Sequence, residues 1–168
     1  MNPLVIAPEI RLATEDDLAA INEIYNHFVE HSTCTYQMTP ETMEARLKWF
    51  RTHDEKHPVT VATIEGQIAG WGALNAYHAR EAYARTVENS LYVRHDMHRR
   101  GIGRALLDDL IARARAIGHH TILAGISTEQ TASVALHTAF GFSKVSHLRE
   151  VGYKKGQWLD VMYMQLML

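Results

Sequence analysis

The chain has 168 residues, a formal net charge of −2 and 46% hydrophobic residues. This length is typical of one domain and the hydrophobic share is enough for a buried core, so we expect a single domain over residues 1–168. The balanced charge argues against nucleic acid as a partner, because proteins that bind nucleic acid carry a basic surface. No apolar run approaches the roughly 20 residues that a membrane span needs, and no membrane partner is expected.

The cysteine content and the opening segment indicate a cytoplasmic location. Cys34 is the only cysteine, which excludes a disulfide framework and fits a reducing compartment. The opening MNPLVIAPEI is too short and too interrupted by proline for a signal peptide. Cys34 has no accompanying motif of the kind that a cysteine nucleophile requires, so we do not expect an acyl-enzyme at this residue.

A strand and two helices are predicted in the first third of the chain. EIRLATEDD reads as a strand that runs into a helix, with Thr14 as the N-cap and Asp17 three residues later. The buried face of this helix is predicted from residues at helical spacing, namely Leu18, Ile21, Ile24, Tyr25 and Phe28. TPETMEARLKWF predicts a second helix, with Thr39 as its N-cap and Pro40 at its first position.

Strands and helices alternate in the rest of the chain. PVTVATIEGQIAGWGALNAY predicts two strands around a tight turn at residues 65–67, and VENSLYVR predicts a third strand. A helix over residues 101–117 follows, with Gly118 as its stop and a buried face formed by Leu106, Leu110, Ala114 and Ile117. TILAGIS, TASVALHTAF and WLDVMYMQLML then predict a strand, a helix and a final strand. This order indicates an α/β or α+β domain around a mixed sheet.

The segment RRGIGRALLDDLIARA, residues 99–114, places two glycines before a helix, where free backbone amides favour an anion. A Walker loop would need Gly-Lys-Ser/Thr, but the chain has Gly103-Arg104-Ala105. A Rossmann fingerprint would need a third glycine where Leu106 stands and a strand early in the domain. The remaining scheme, a strand, a basic Gly-x-Gly turn and a helix in mid-chain, matches an acyl-CoA pyrophosphate site.

Several blocks of the sequence resemble the GNAT superfamily of acetyl-CoA-dependent N-acetyltransferases. The core blocks are SLYVRHDMHRRGIGRALL and TASVALHTAFGF. IYNHFVEHST, ARTVENSLYV, LHTAFGF and VGYKKGQWLDVMYMQL resemble the phosphinothricin and methionine sulfoximine/sulfone acetyltransferases within it. The resemblance covers essentially the whole chain. It implies the GNAT fold with a mixed central sheet flanked by helices, acetyl-CoA as co-substrate, a small-molecule amine as acceptor, direct transfer in a ternary complex, a homodimer and no metal.

The resemblance also implies roles for individual residues. Glu88 would be the general base that takes the proton from the amine, directly or through a water. His137 would protonate the departing thiolate, or orient the substrate or Glu88. A backbone amide of Leu91, Tyr92 or Val93 would polarise the thioester carbonyl. The implied cofactor-binding residues are Leu91, Tyr92, Val93, Arg99, Arg100, Gly101, Ile102, Gly103, Arg104, Gln130 and Ser133, and the implied substrate-binding residues are Tyr36, His78, Arg80, Tyr83 and Glu88.

The chain departs from the usual pattern at four of these motif positions. His98 stands where the family usually has glutamine or arginine, and Gln130 stands where it commonly has asparagine. Tyr77 replaces the subgroup's usual tryptophan, and His78 replaces its lysine or arginine. Histidine is the weaker cation, which reduces the expected preference for a doubly anionic amino acid.

Three other interpretations are open at this point. The first is that the same fold acetylates another amine, such as a protein N-terminus, a polyamine or an aminoglycoside. A wide acidic groove would favour the cationic substrates, whereas Arg80 in a closed pocket would favour an anionic amino acid. A non-catalytic acyl-CoA sensor is the second, against which the pair Glu88 and His137 argues. A metal site is the third, and the candidates for it are the histidine pairs His27/His31 and His95/His98. Neither pair is accompanied by a His-Glu-x-x-His motif or a cysteine pair, so we expect no metal site.

Overall fold

Four α-helices flank a seven-stranded sheet in residues 7–168, the part of the chain that the computed structural model describes. Residues 1–6, which begin the segment MNPLVIAPEI considered above, lie outside the described residues. The strands are β1 Glu9–Leu12, β2 Val59–Ile64, β3 Gln67–Ala76, β4 Thr86–Val93, β5 Thr121–Ser127, β6 Ser143–Lys154 and β7 Gln157–Met167. The helices are α1 Leu18–His31, α2 Met43–Phe50, α3 Ile102–Ile117 and α4 Thr131–Ala139.

The sheet is mixed, with strand order β1-β2-β3-β4-β5-β7-β6. Neighbouring strands are antiparallel except β4 and β5, which are parallel and joined by α3. One face of the sheet packs its apolar side chains against α1, and the other packs against α3 and α4. The predicted fold class, a mixed central sheet flanked by helices, is therefore confirmed. Within residues 7–168, no helix combines the length and the apolar character needed to cross a membrane.

Three of the predicted helix boundaries are confirmed. The Asp17 carboxylate accepts the Thr14 backbone N–H at 2.8 Å, and a short 3-10 turn over Glu15–Asp17 leads into α1. Gly101 is the N-cap of α3 with φ +78°, and Gly118 is its C-cap with φ +92°. Both φ values lie in the left-handed region, where a side chain costs about 1–2 kcal/mol. Glycine therefore sets both ends of the helix that follows β4.

The predicted start of the second helix is wrong. Helix α2 begins at Met43, and its N-cap is Thr42, whose hydroxyl accepts the Ala45 N–H at 3.1 Å. The cause lies in α1, which holds the backbone of Glu41. Asn26 accepts the Glu41 N–H at 2.7 Å through its side-chain oxygen, and the amide groups of Asn22 and Asn26 both donate to the Glu41 carbonyl at 2.9 Å. A helix that began at Pro40 would disrupt these contacts.

This difference gives a direct test of the helix boundary. Thr42→Ala is expected to lower the free energy of unfolding by about 1 kcal/mol, because an orphan backbone N–H loses its acceptor. Thr39→Ala is the matched control and is expected to change stability by less than about 0.5 kcal/mol, as exposed substitutions away from caps usually do. Urea unfolding of the two variants measures both values, and a larger loss for Thr39→Ala would restore the boundary predicted from the sequence.

Candidate active site

The site lies in a wedge between β4 and β5. The two strands pair only from Thr86–Thr121 to Glu88–Leu123, although β4 continues to Val93 and β5 continues to Ser127. Beyond this point the strands separate, and a cavity of about 810 Å³ opens between them. The last paired position on β4 is Glu88, so the candidate base stands at the apex of the wedge.

The N-terminus of α3 forms the wide end of the cavity. The first turn closes when the Ala105 N–H donates to the Gly101 carbonyl at 3.0 Å, so the N–H groups of residues 102–104 have no carbonyl one turn earlier to bind. Gly101 adopts φ +78° and Arg99 adopts φ +61°, an uncommon value for a residue with a side chain. Free amides, a helix dipole and the arginines make this end suited to an anion.

Gly103 lies in the wall of the cavity, where a side chain would take up space next to the backbone amides. A Cβ built on Gly103 would lie 3.5 Å from Leu136 and 3.6 Å from Val93, which are ordinary contact distances. The protein itself therefore has room for an alanine. Leu136 and Val93 both line the cavity, so the extra methyl group would occupy space on the cavity side. The absence of a side chain at Gly103 leaves the backbone open to a ligand.

The structure brings together most of the residues that the sequence analysis assigns to the cofactor. Among residues 7–168, those of the predicted set that line the cavity are Leu91, Tyr92, Val93, Arg99, Gly101, Ile102, Gly103, Arg104, Gln130 and Ser133. Arg100 is exposed and does not line the cavity. Arg104 extends over the Phe140 ring, with its guanidinium carbon 5.1 Å from the ring centroid. These residues remain predictions as ligand contacts, but their positions agree with one elongated site.

Glu88 lies half-buried at the apex, and burial raises the pKa of its carboxyl group. Gly125 on β5 faces it across the wedge. A Cβ at Gly125 would lie 3.0 Å from Oε1 of Glu88 and 3.3 Å from the ring of Tyr163 on β7. Glycine at this position therefore leaves the space that the carboxylate and the phenol ring share.

His137 also lines the cavity, but both of its ring nitrogens are already engaged. Nδ1 lies 2.8 Å from the Ser133 carbonyl oxygen, and Nε2 lies 3.0 Å from the side-chain nitrogen of Asn89. The residue is buried, and burial lowers the pKa of its imidazole. A neutral ring that is hydrogen-bonded on both sides fits an orienting role better than direct proton donation to a thiolate.

Except for Glu88, the predicted substrate residues lie outside this cavity. His78, Arg80 and Tyr83 are exposed in the loop between β3 and β4, where His78 Nδ1 accepts the Arg80 N–H at 3.1 Å and the rings of His78 and Tyr83 are 5.0 Å apart. This loop leads directly into the strand that carries Glu88. Tyr36 is held by the β6–β7 hairpin, where its hydroxyl donates to the Asp160 carbonyl at 3.2 Å.

The histidine pairs and Cys34 are the other reactive side chains that the sequence analysis considered. The ring of His27 stacks on the ring of His95, with the ring centroids 3.8 Å apart, and its centroid lies 4.7 Å from that of His31. Residues 7–168 contain no group of three His, Cys, Asp or Glu side chains placed to hold a metal ion. Cys34 lines the cavity, and burial raises the pKa of its thiol, which disfavours the nucleophilic thiolate.

Sequence reasoning missed Asn89, Gly125 and Tyr163. One signal for Asn89 was available, because strand alternation places residues 87, 89, 91 and 93 on one face. The other three are valine or leucine, so a lone amide on this apolar face marks a special position. Gly125 and Tyr163 meet Glu88 only through the pairing of β5 with β4 and β7, which no local pattern reveals.

The comparisons with known proteins agree with this geometry. The family model described as an acetyltransferase (GNAT) domain matches residues 10–163. An L-methionine sulfoximine/L-methionine sulfone acetyltransferase of Salmonella typhimurium is 38% identical, over 95% of this chain and 94% of its own length. A phosphinothricin N-acetyltransferase of Streptomyces viridochromogenes is 36% identical, over 98% of this chain and 90% of its own length.

A solved structure extends the likeness to three dimensions. It is a GNAT superfamily phosphinothricin acetyltransferase from Sinorhizobium meliloti in complex with acetyl-CoA. That protein superposes with a TM-score of 0.93 and is 35% identical, over 96% of this chain and 89% of its own. The sheet that splits between β4 and β5, the glycine turn before α3 and these relatives lead to one conclusion. The chain belongs to the GNAT family of acetyltransferases.

Proposed function

We propose that this chain transfers an acetyl group from acetyl-CoA to the amino group of a small amino-acid-like substrate, of the methionine sulfoximine, methionine sulfone or phosphinothricin type. The observation that carries the proposal is the wedge, which has an anion-binding helix N-terminus at one end and the Glu88 carboxylate at the other. Acetyl-CoA, when bound, supplies an acetyl group activated as a thioester. Transfer is direct, within a ternary complex of enzyme, cofactor and amine.

In this proposal the protein holds the cofactor by its phosphates and along its arm. The free amides of residues 102–104 and the side chains of Arg99 and Arg104 bind the pyrophosphate, with charge-assisted hydrogen bonds from the guanidinium groups. Residues 91–93 have no β5 partner, so their backbone groups on that side are available to the pantetheine arm. One of their amides stabilises the charge that develops on the thioester oxygen.

Glu88 prepares the amine for attack. A free α-amino group has a pKa near 7.7–8.0, so most of it is protonated at neutral pH. The half-buried carboxylate accepts this proton, directly or through a water, and the wedge holds the amine close to the thioester. Because His137 is engaged by Ser133 and Asn89, its part is to orient its neighbours.

The charge of the site favours an amino acid over a polycation. Glu88 is the one carboxylate that lines the cavity among the described residues. A polyamine or an aminoglycoside would find no acidic groove in this lining. We assign Arg80 to the carboxylate or phosphinate of the substrate, since a guanidinium binds such groups through two parallel hydrogen bonds and the loop of Arg80 leads to Glu88.

A substrate panel tests this assignment. CoA release is measured with acetyl-CoA and phosphinothricin, methionine sulfoximine, methionine sulfone, ordinary amino acids, spermidine or an aminoglycoside. Turnover is expected with the first three substrates, and Arg80→Ala is expected to raise their KM about tenfold, the loss of one charge-assisted contact. Arg85→Ala, an exposed arginine that follows the same loop, is the control and should leave KM unchanged. Turnover confined to the cationic amines would refute the substrate class.

The remaining parts of the proposal are a homodimer and a cytoplasmic, single-domain protein. Strand β6 forms one edge of the sheet, and the hairpin it makes with β7 exposes several large apolar side chains, namely Val145, Leu148, Val151, Tyr153 and Trp158. An edge strand with such a surface is suited to a partner. Sedimentation equilibrium is expected to give twice the 19.1 kDa chain mass, and a monomer would refute the dimer.

A further inference from the structure

Asn89 occupies a distinctive position in the wedge. It is the first residue of β4 beyond the last pair with β5, which is Glu88–Leu123. Its side chain lies on the opposite face of the strand from Glu88, together with the neighbours at positions 87, 91 and 93. The residue is only 9% exposed, yet it lines the cavity.

Two hydrogen bonds determine which way its amide group points. His137 Nδ1 lies 2.8 Å from the Ser133 carbonyl, which can only accept, so Nδ1 carries the proton. In a neutral imidazole the other nitrogen, Nε2, is then an acceptor. Asn89 must present its NH₂ group to Nε2, at 3.0 Å. These two hydrogen bonds therefore fix the orientation of the Asn89 amide, and its oxygen takes part in neither of them.

That oxygen is unsatisfied within the protein. Oδ1 of Asn89 is fully buried and has no hydrogen-bond partner among residues 7–168. A buried carbonyl oxygen without a donor costs about 1–3 kcal/mol, and the large majority of such atoms in folded proteins are paired. The amide is held in place by its other end, so it cannot turn to relieve this cost without breaking the bond to His137. A donor from a bound molecule is the natural partner.

We propose that Asn89 Oδ1 accepts a hydrogen bond from the cysteamine end of the cofactor, an inference that rests on the proposed acetyltransferase function. The cavity wall on its side is formed by Leu91, Val93, Leu136 and Ser133, which lead to the pyrophosphate end. Asn89 and Val93 are four residue steps apart along the strand, about 13 Å, a distance that an extended pantetheine arm can span. Glu88, the partner of the amine, faces the other way.

The cysteamine end offers two donors, a strong amide N–H and a weak thiol S–H. Its amide N–H is present in both acetyl-CoA and free CoA, whereas the thiol S–H is present in free CoA only. Both would satisfy the same buried oxygen. An amide contact would place the thioester before transfer, and a thiol contact would bind the product after it. The affinities of the two ligands distinguish the donors.

Calorimetric titration of Asn89→Leu tests the proposal, because leucine has nearly the shape of asparagine but accepts no hydrogen bond. Affinity is expected to fall about five- to tenfold, the contribution of one hydrogen bond. Equal losses for acetyl-CoA and CoA identify the amide as the donor, and a loss for CoA alone identifies the thiol. Adenosine 3′,5′-bisphosphate, which lacks the arm, is the control and should bind Asn89→Leu and the wild type equally.

Two outcomes overturn the inference and are distinct from each other. If Asn89→Leu binds both ligands as tightly as the wild type, the assignment of Asn89 is wrong and the proposed function stands. If the wild-type protein binds neither ligand, the proposed function itself fails. If Asn89→Leu also loses affinity for the bisphosphate, Asn89→Ser is titrated instead. The ratios of variant to wild-type affinity for acetyl-CoA and CoA then decide, in the same way, whether Asn89 contacts the cofactor.

Discussion

Replacing Glu88 with glutamine is expected to lower kcat by about 100-fold or more, the usual contribution of a positioned general base. Glutamine keeps the shape of the side chain but cannot accept the proton of the amine. Acetyl-CoA affinity should stay within about twofold, because the helix N-terminus and the arginines that hold the phosphates lie at the far end of the wedge. Steady-state kinetics and a calorimetric titration measure the two quantities.

The pH profile of the same variant gives a second readout. Burial raises the pKa of Glu88, and the base acts in its deprotonated form, so kcat/KM of the wild type rises as pH increases through that pKa. Glu88→Gln should lose this limb and keep only the limb from the amine of the substrate. Glu81→Gln, an exposed glutamate in the preceding loop, is the control with wild-type kinetics. Full activity of Glu88→Gln with every amine would exclude Glu88 as the base.

Replacing Gly103 with alanine is expected to move stability and binding in opposite directions. Alanine is favoured over glycine inside a helix, and its Cβ would lie at ordinary contact distances, so the free energy of unfolding should rise by about 0.5 kcal/mol. The same methyl group faces the cavity, and acetyl-CoA affinity should fall at least about tenfold as the cofactor phosphates lose close approach to the backbone amides. Urea unfolding without ligand and calorimetric titration measure the two effects.

Gly118→Ala is the matched control, since it changes the glycine at the other end of the same helix. Its φ of +92° makes any side chain unfavourable, and stability should fall by about 1 kcal/mol. Gly118 does not line the cavity and lies at the opposite end of α3 from the glycine turn. Acetyl-CoA affinity should therefore not change. If Gly103→Ala binds acetyl-CoA as tightly as the wild type, the glycine turn does not hold the phosphates.

Local patterns were sufficient to predict most of the fold. Apolar residues at helical spacing predicted α1 and α3, and the glycines that flank α3 predicted its ends to within one residue. The predicted start of α2 was wrong, because contacts with residues of α1 determine where this helix begins. Thr39 and Pro40 form a good local helix start, but Asn22 and Asn26 hold Glu41 outside the helix, and no local rule includes those bonds.

The candidate site divides in the same way. The glycines and arginines of residues 99–104 predicted an anion site from the local sequence, and most of them line the cavity, whereas Glu88 and residues 91–93 were assigned from the resemblance. The contact of Asn89 with His137 joins residues 48 positions apart, and it needs the whole sheet to form. Arg80 and Tyr83 were predicted from a resemblance alone, and their exposed loop lies outside the cavity.

The most direct measurement of the central claim is a single mass balance. The wild-type protein is incubated with acetyl-CoA and L-methionine sulfone, and free CoA and N-acetylated product are quantified together over time. We predict that both appear at the same rate, in a one-to-one ratio, and that Glu88→Gln forms them about 100-fold more slowly. Tight acetyl-CoA binding with no acetylated product from any amine of the panel would contradict the account and favour a non-catalytic acyl-CoA sensor.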